Sequence, residues 1–322
     1  MILPTPAAEW RIGGIRLRVI DSRALRDGCE GGPVRVLVTG WFSFEEVVAT
    51  VGDGLGAEVV AGWLADLGVD HDIAWAPYLE RGVHWRDVDP ADYTHLLFVT
   101  GPVRERPLLR ELTGSFAHAR RLAVNVSVVE EGGRALFDAV WERDAPGVRR
   151  PDLALEGPGH DAPVVAVAFT PVQDEYGERS QAERVREEIE EWLADRGLPW
   201  FELSMDLFEK PHPRRAEQVE ALVRRADVVV SMRLHGLVLG LKHERPVIAC
   251  DPIEGGAKVS GQAEALGWPL VLPTERVSAA ALDAALERCL SGALGGAVQQ
   301  ARARGEAGTA AARAWLTDQL SA

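Results

Sequence analysis

Asp227–Trp268 reads DVVVSMRLHGLVLGLKHERPVIACDPIEGGAKVSGQAEALGW. Val228–Val230 is a continuous β-branched run, the pattern of a strand buried on both faces. Ser231-Met232-Arg233-Leu234-His235-Gly236 leaves that strand. Leu237–Leu241 reads as an apolar helix that ends near Lys242-His243-Glu244-Arg245. Pro246 punctuates, and Val247–Cys250 is a second buried strand. In an open α/β sheet, ligands bind outside the carboxyl ends of the strands. Polar residues stand at both ends here: Ser231, Arg233 and His235 after the first strand, Asp251, Glu254 and Lys258 after the second.

The same alternation of strand and helix continues on both sides. Upstream are a strand over Val164–Phe169, a polar loop over Gln173–Ser180 and an amphipathic helix over Gln181–Arg196. Val185, Ile189 and Leu193 lie four apart on that helix, and Gly197 stands just past its end. Trp200–Leu203 is a short strand and Arg214–Ala226 a helix. Downstream come a strand at Leu270–Leu272 and helices over Ser278–Leu290 and Ala297–Gln319. The last helix is expected to pack back on the N-terminal domain.

Glu156-Gly157-Pro158-Gly159-His160-Asp161 has no large apolar residue, two glycines and a proline, and reads as a linker. It divides the chain into an N-terminal domain over 1–156 and a C-terminal domain over 161–322. Strands are expected at Val34–Thr39, Asp72–Trp75, Thr94–Thr100 and Leu122–Val129 of the first domain. Helices are expected at Ala57–Leu67, Pro107–Ala117 and Leu136–Trp141. Trp10–Ile20 reads as a hairpin turning at Gly13-Gly14, and Asp27–Pro33 as a Gly-rich connection. The fold class is α/β: two Rossmann-like doubly wound domains with a cleft between them. A dinucleotide fingerprint is absent, since Gly52-Asp53-Gly54-Leu55-Gly56 lies well beyond its strand and does not spell GxGxxG. Those glycines either let a loop pass close to the sheet or turn backbone N–H groups toward a ligand.

The totals set limits. The chain has 322 residues, 47% of them hydrophobic, enough for real cores. A net charge of -14 disfavours non-specific binding to nucleic acid or an anionic membrane surface. No apolar run approaches the roughly 20 residues of a bilayer span, and the start shows no basic region followed by an apolar core. Cys29, Cys250 and Cys289 are far apart and make no metal-type pair. Three reduced cysteines in a cytoplasmic protein is the plain expectation. No metal site is expected.

Arg233 and His235 are two apart, which puts both side chains on one side of an extended backbone. Gly236 then opens a helix whose first N–H groups carry partial positive charge. A guanidinium, an imidazole and a helix start at one strand end suit a phosphate or carboxylate. Lys258, after Gly255-Gly256-Ala257, sits on a loop that can close over the same anion. The plain alternatives are a salt-bridged arginine and a capping histidine.

Ser231-Met232-Arg233-Leu234-His235-Gly236, then Arg245-Pro246-Val247-Ile248 and the loop carrying Lys258, resembles the C-terminal signature of the polysaccharide pyruvyl transferases. The resemblance extends to Val36–Gly40 with Gly52-Asp53, and weakly to Glu142-Arg143-Asp144 and Pro151–Leu155. It implies a fold similar to the GT-B type of glycosyltransferase. It implies transfer of the pyruvyl group of phosphoenolpyruvate onto two sugar hydroxyls as a cyclic ketal, in polysaccharide biosynthesis. Phosphoenolpyruvate would be a co-substrate, and no metal or organic cofactor would be needed. Arg233 and His235 would then be catalytic, with Ser231, Leu234, Gly236 and Lys258 around the donor phosphate. Gly40, Trp41 and Asp53 would face a glycan or small-molecule acceptor. Many members carry an arginine after the first strand of the second domain; here that place reads Phe169-Thr170-Pro171-Val172-Gln173, and the nearest arginine is Arg179. Two other classes stay open: a nucleotide-sugar glycosyltransferase of the same architecture, and a non-catalytic anion-binding relative.

Overall fold

The computed structural model describes residues 9–12, 15–18, 33–159, 161–207 and 213–321. The chain forms two compact units, Met1–His160 and Asp161–Ala322. Strands β1 (Glu9–Ile12) and β2 (Ile15–Arg18) pair antiparallel. The Gly13-Gly14 turn, Cys29 and all of the Asp27–Pro33 connection but its last residue lie outside the described residues.

The sheet of the first unit holds β3 (Arg35–Thr39), β4 (Asp70–Ile73), β5 (His95–Val99), β6 (Pro102–Val103), β7 (Arg120–Val128), β8 (Ala139–Ala145) and β9 (Val148–Arg149). Its order is β4-β3-β5-β7-β8-β9, with β6 alongside β7. Every pair is parallel except β8 with β9. The alternation of side chains along β3 explains why both faces need cover. Val36 and Val38 enter one core with Ala57 and Val60 of helix α1 (Val51–Asp66). Leu37 enters the other, with Phe98 and with Leu109 and Leu112 of helix α2 (Pro107–Ser115).

Two elements depart from expectation. Helix α1 starts at Val51, six residues before Ala57, because Thr50 and Asp53 cap each other reciprocally. Thr50 N–H donates to Asp53 Oδ2 at 3.0 Å, and Asp53 N–H donates to Thr50 Oγ1 at 3.4 Å. That box carries the helix through Gly52, Gly54 and Gly56. Leu136–Trp141 is not a helix: a single turn, α3 (Glu131–Arg134), precedes it, and β8 begins at Ala139. Pairing of β8 with β7 overrides the local helical pattern.

The second unit has β10 (Val165–Ala168), β11 (Trp200–Glu202), β12 (Val228–Ser231), β13 (Val247–Asp251) and β14 (Val271–Pro273). They form an all-parallel sheet in the order β11-β10-β12-β13-β14. Every residue of β10, β12 and β13 is buried, as their continuous apolar runs require. Helices α4 (Ala182–Arg196), α5 (Ala216–Val223), α6 (Leu234–Lys242) and α7 (Lys258–Leu266) connect the strands, and α8 (Ala279–Leu290) follows the last of them. The last helix, α9 (Gly295–Ser321), lies against α6 and α7 of its own unit through the buried Val298 and Ala301.

Counted from its own first strand, and passing over the two-residue β6 and the antiparallel edge strand β9, each sheet has the order 2-1-3-4-5. That is the doubly wound order whose winding reverses between strands one and three, opening a crevice at their carboxyl ends. The reversal falls between β3 and β5 in the first unit and between β10 and β12 in the second.

Among the described residues no helix is long and apolar enough to cross a membrane.

Candidate functional site

At the β10/β12 crevice a pocket of ≈ 190 Å³ is lined by Thr170, Gln173, Met232, Arg233, Leu234, His235, Asp251 and Lys258, among others. Four of the residues read from sequence, Arg233, Leu234, His235 and Lys258, therefore meet at one place. The route is not the one expected. Helix α6 starts at Leu234, so Arg233 is the extended residue before it and His235 already lies in its first turn. The two side chains converge through the start of a helix, not along a strand.

Arg233 bridges the ends of the two strands at the reversal. Its Nε donates to the Phe169 carbonyl at 2.7 Å, and its two terminal nitrogens donate to Asp206 at 3.0 and 2.8 Å. A guanidinium has five N–H donors; three are committed, which leaves two to face a ligand. The carbonyl and the carboxylate fix the plane of the fork. His235 is exposed at the pocket. Lys258 is the first residue of α7 and donates to Glu175 at 3.0 Å. That carboxylate raises the lysine pKa, so the ammonium stays charged at neutral pH.

Ser231 and Gly236 do a different job from the one expected. Ser231 is fully buried. Its hydroxyl donates to the Arg233 carbonyl at 2.7 Å and accepts from the Arg233 N–H at 3.1 Å, closing the turn that leads into α6. A Cβ on Gly236 would stand 2.1 Å from Ser231 Oγ and 3.0 Å from Ala168 Cβ. Only glycine lets the first turn of α6 approach the strand ends so closely. Gly236→Ala is expected to cost about 1–3 kcal/mol, the usual penalty of overpacking. A urea midpoint unchanged from wild type would show that this approach is not tight.

Asp251 organises the lysine loop. It is fully buried, and it accepts from the N–H groups of Ile253 at 3.1 Å, Ala257 at 2.8 Å and Ser260 at 2.8 Å. The last two bonds cap α7 from a distance and aim Lys258 at the pocket. The 173–180 segment lies beside this loop: Glu254 N–H donates to the Arg179 carbonyl and Gln181 N–H to the Pro252 carbonyl, each at 2.8 Å. Arg179 itself lies against the Tyr176 ring, 5.6 Å from its centroid. Asp206, Thr170 and Gln173 belong to this site and were not foreseen from sequence.

In the first unit a cavity of ≈ 620 Å³ opens at the β3/β5 crevice, lined by Trp41, Thr50, Asp53, Gly101, Arg104, Arg106 and Arg143, among others. Trp41 is only 9% exposed, packs edge-on against Phe98 and donates from Nε1 to the Pro102 carbonyl at 3.0 Å. It is a wall of the cavity more than a stacking platform. Asp53 Oδ1 accepts from Thr100 Oγ1 at 2.7 Å. Gly40 is not part of the lining: a Cβ there would meet the Phe42 ring at 2.3 Å and the Val99 carbonyl at 2.6 Å. It serves close packing beneath the cavity.

Residues 160–252 match the family model of the polysaccharide pyruvyl transferases. The match covers β10 to β13, including Asp206, Arg233 and His235, and it is a match to a transferase domain. No curated protein is similar enough to match. Among solved structures, the glycotransferase of kitacinnamycin is 13% identical, with 85% of this chain and 96% of that chain covered at a TM-score of 0.31. The E. coli heptosyltransferase WaaC with ADP is 15% identical, with 79% and 99% covered at a TM-score of 0.27. Likenesses this slight carry no argument about activity.

Proposed function

We propose that the protein transfers the pyruvyl group of phosphoenolpyruvate onto two hydroxyls of a sugar, giving a cyclic ketal and inorganic phosphate. The observation that carries this reading is the convergence of Arg233, His235 and Lys258 on one small pocket at the β10/β12 crevice. Arg233 and His235 fall inside the matched domain, and Lys258 lies just past it.

The chemistry balances with these groups alone. A proton reaches the methylene carbon of phosphoenolpyruvate and makes it a methyl group. The adjacent carbon gains oxocarbenium character, and the first sugar hydroxyl adds to it. Phosphate then departs with the C–O bond electrons, and the second hydroxyl closes the ring. Of the two protons released by the diol, one balances the proton taken up by carbon and the other leaves with phosphate. His235, exposed at the pocket, supplies the general acid. Arg233, with two N–H groups left over, and the charged Lys258 hold the carboxylate and phosphate. Anchoring of Arg233 on Asp206 and the Phe169 carbonyl keeps that charge pre-aimed. The acceptor belongs to the first unit, in the cavity walled by Trp41 and Asp53. The reaction asks for no metal and no organic cofactor.

Ligand-induced thermal shift tests the donor. Phosphoenolpyruvate at a hundred times its dissociation constant should stabilise the chain by about 2.7 kcal/mol. UDP and GDP should leave the melting temperature where it was. Stabilisation by either nucleotide and none by phosphoenolpyruvate would reverse the assignment, in favour of a nucleotide-sugar transferase.

A further inference from the structure

We infer that the first unit's cavity binds a sugar bearing an oxyanion, a phosphate ester or a uronic carboxylate, through Arg104 and Arg106. The cavity lies at the β3/β5 reversal, the topological equivalent of the Arg233 pocket in the other unit. Its ≈ 620 Å³ falls within the range of small-molecule sites.

The three arginines along its wall are not alike. Arg143 is locked: Nε donates to Asp144 at 2.9 Å, one terminal nitrogen to Asp152 at 2.5 Å and the other to Ser127 at 2.8 Å. Two carboxylates neutralise it, so its work is to hold β8 and the 152–156 turn in place. Arg104 and Arg106 are exposed, and among the described residues neither guanidinium has a hydrogen-bond or ion-pair partner. In a chain of net charge -14, two unpartnered arginines in the lining of one cavity are conspicuous.

The acid in the same lining does not cancel them. Asp53 is the one carboxylate among the lining residues, and both of its oxygens are engaged, Oδ2 by Thr50 and Oδ1 by Thr100. With Arg143 neutralised, the lining sets the two guanidinium charges of Arg104 and Arg106 against one carboxylate, so its balance is positive. Thr100 adds an independent sign. It is a buried, β-branched residue at φ 66°, a backbone state that such residues rarely adopt. Strain of this kind collects at ligand sites, where surrounding structure holds it. Here it turns the chain at the end of β5 and brings the Thr100 hydroxyl onto Asp53, a residue of the cavity lining. Thr50, Asp53 and the neighbouring backbone offer hydrogen bonds to sugar hydroxyls, and the arginines offer the forked geometry that phosphate and carboxylate prefer.

Anion binding here stands without any donor. That the bound sugar is the acceptor rests on the pyruvyl-transfer reading. Calorimetry on the full chain separates the two with three probes: galactose 1-phosphate, glucuronic acid and methyl galactoside. One or both charged sugars should bind at least tenfold tighter than the neutral one, and the tighter of the two names the anion. Arg104→Gln with Arg106→Gln should weaken the charged sugar by about a hundredfold, tenfold for each guanidinium removed from the anion. Both residues are exposed, so the double variant should keep the wild-type melting temperature. Equal affinity for charged and neutral sugars, no binding of either charged sugar, or a double variant that binds like wild type, would overturn the inference. Arg233→Ala should leave this binding intact. If phosphoenolpyruvate affinity is lost in the double variant but kept in Arg233→Ala, the donor site falls and the anion site in the first unit stands.

Discussion

Arg233→Ala should cut phosphate release from phosphoenolpyruvate, measured with an anionic galactoside acceptor, by about two to three orders of magnitude. The size follows from what the side chain does. It ties the strand ends at the reversal to the pocket: Nε on the Phe169 carbonyl, two terminal nitrogens on Asp206, two N–H groups left for the ligand. Alanine removes the charge and the bridge together. Arg233→Lys should do little better, because a single ammonium cannot keep the carbonyl, the carboxylate and the ligand at once. His235→Ala should fall in the same range, through loss of a proton donor, with phosphoenolpyruvate affinity largely kept. Unfolding is a poor explanation for either loss. Asp206 is 42% exposed and can take water when Arg233 is gone, and His235 is exposed already. If both alanine variants turn over like wild type while the anionic galactoside and phosphoenolpyruvate still bind, pyruvyl transfer at this pocket is wrong.

The same residues mark how far a sequence alone reaches. β12 and β13 were legible because strands buried on both faces must be apolar throughout, and Val228–Val230 and Val247–Cys250 are. Arg233, His235 and Lys258 were legible as polar residues placed at the ends of such strands. Asp206 was not. It meets Arg233 only because β11 and β12 flank β10, and 27 positions of chain separate the pair. Sequence places Ser231 and Gly236 beside the ligand, because a residue type does not show whether its polar atom is spent internally. The folded chain has a hydroxyl bonded twice to Arg233 and a glycine hydrogen where a methyl group would collide. The start of α1 was within reach, since Thr50-Val51-Gly52-Asp53 is a capping signal, but three glycines disguised the turn after it. The second cavity hid for another reason: Arg104 and Arg106 lie on the 104–106 segment after β6, and the β5 end reaches the Thr50–Asp53 cap only in the folded sheet.

Asp251 supplies the sharper test of how the pocket is built. Among the described residues it has no side-chain partner, yet it is fully buried at the end of β13. Its compensation comes from three amides, Ile253, Ala257 and Ser260, on the loop and first turn that carry Lys258. Asp251→Ala strands those donors. Each buried donor left unmade costs about 1–3 kcal/mol, and Ala257 and Ser260 are partly open to water, so a total of about 2–4 kcal/mol is expected. Urea denaturation reads it directly. Asp251→Asn keeps the shape and one acceptor oxygen, and replaces the other with an amide that cannot accept. It should lose the Ala257 and Ser260 bonds or the Ile253 bond, not all three, and cost about half as much. The functional consequence separates this role from mere stability. Freed from Asp251, the start of α7 no longer fixes Lys258, so phosphoenolpyruvate affinity should drop in Asp251→Ala under conditions where that variant is fully folded. Lys258→Ala should then weaken the donor in wild type and add little in the Asp251→Ala background. Additive losses in that pair of variants would mean that Asp251 supports the fold and does not aim the lysine.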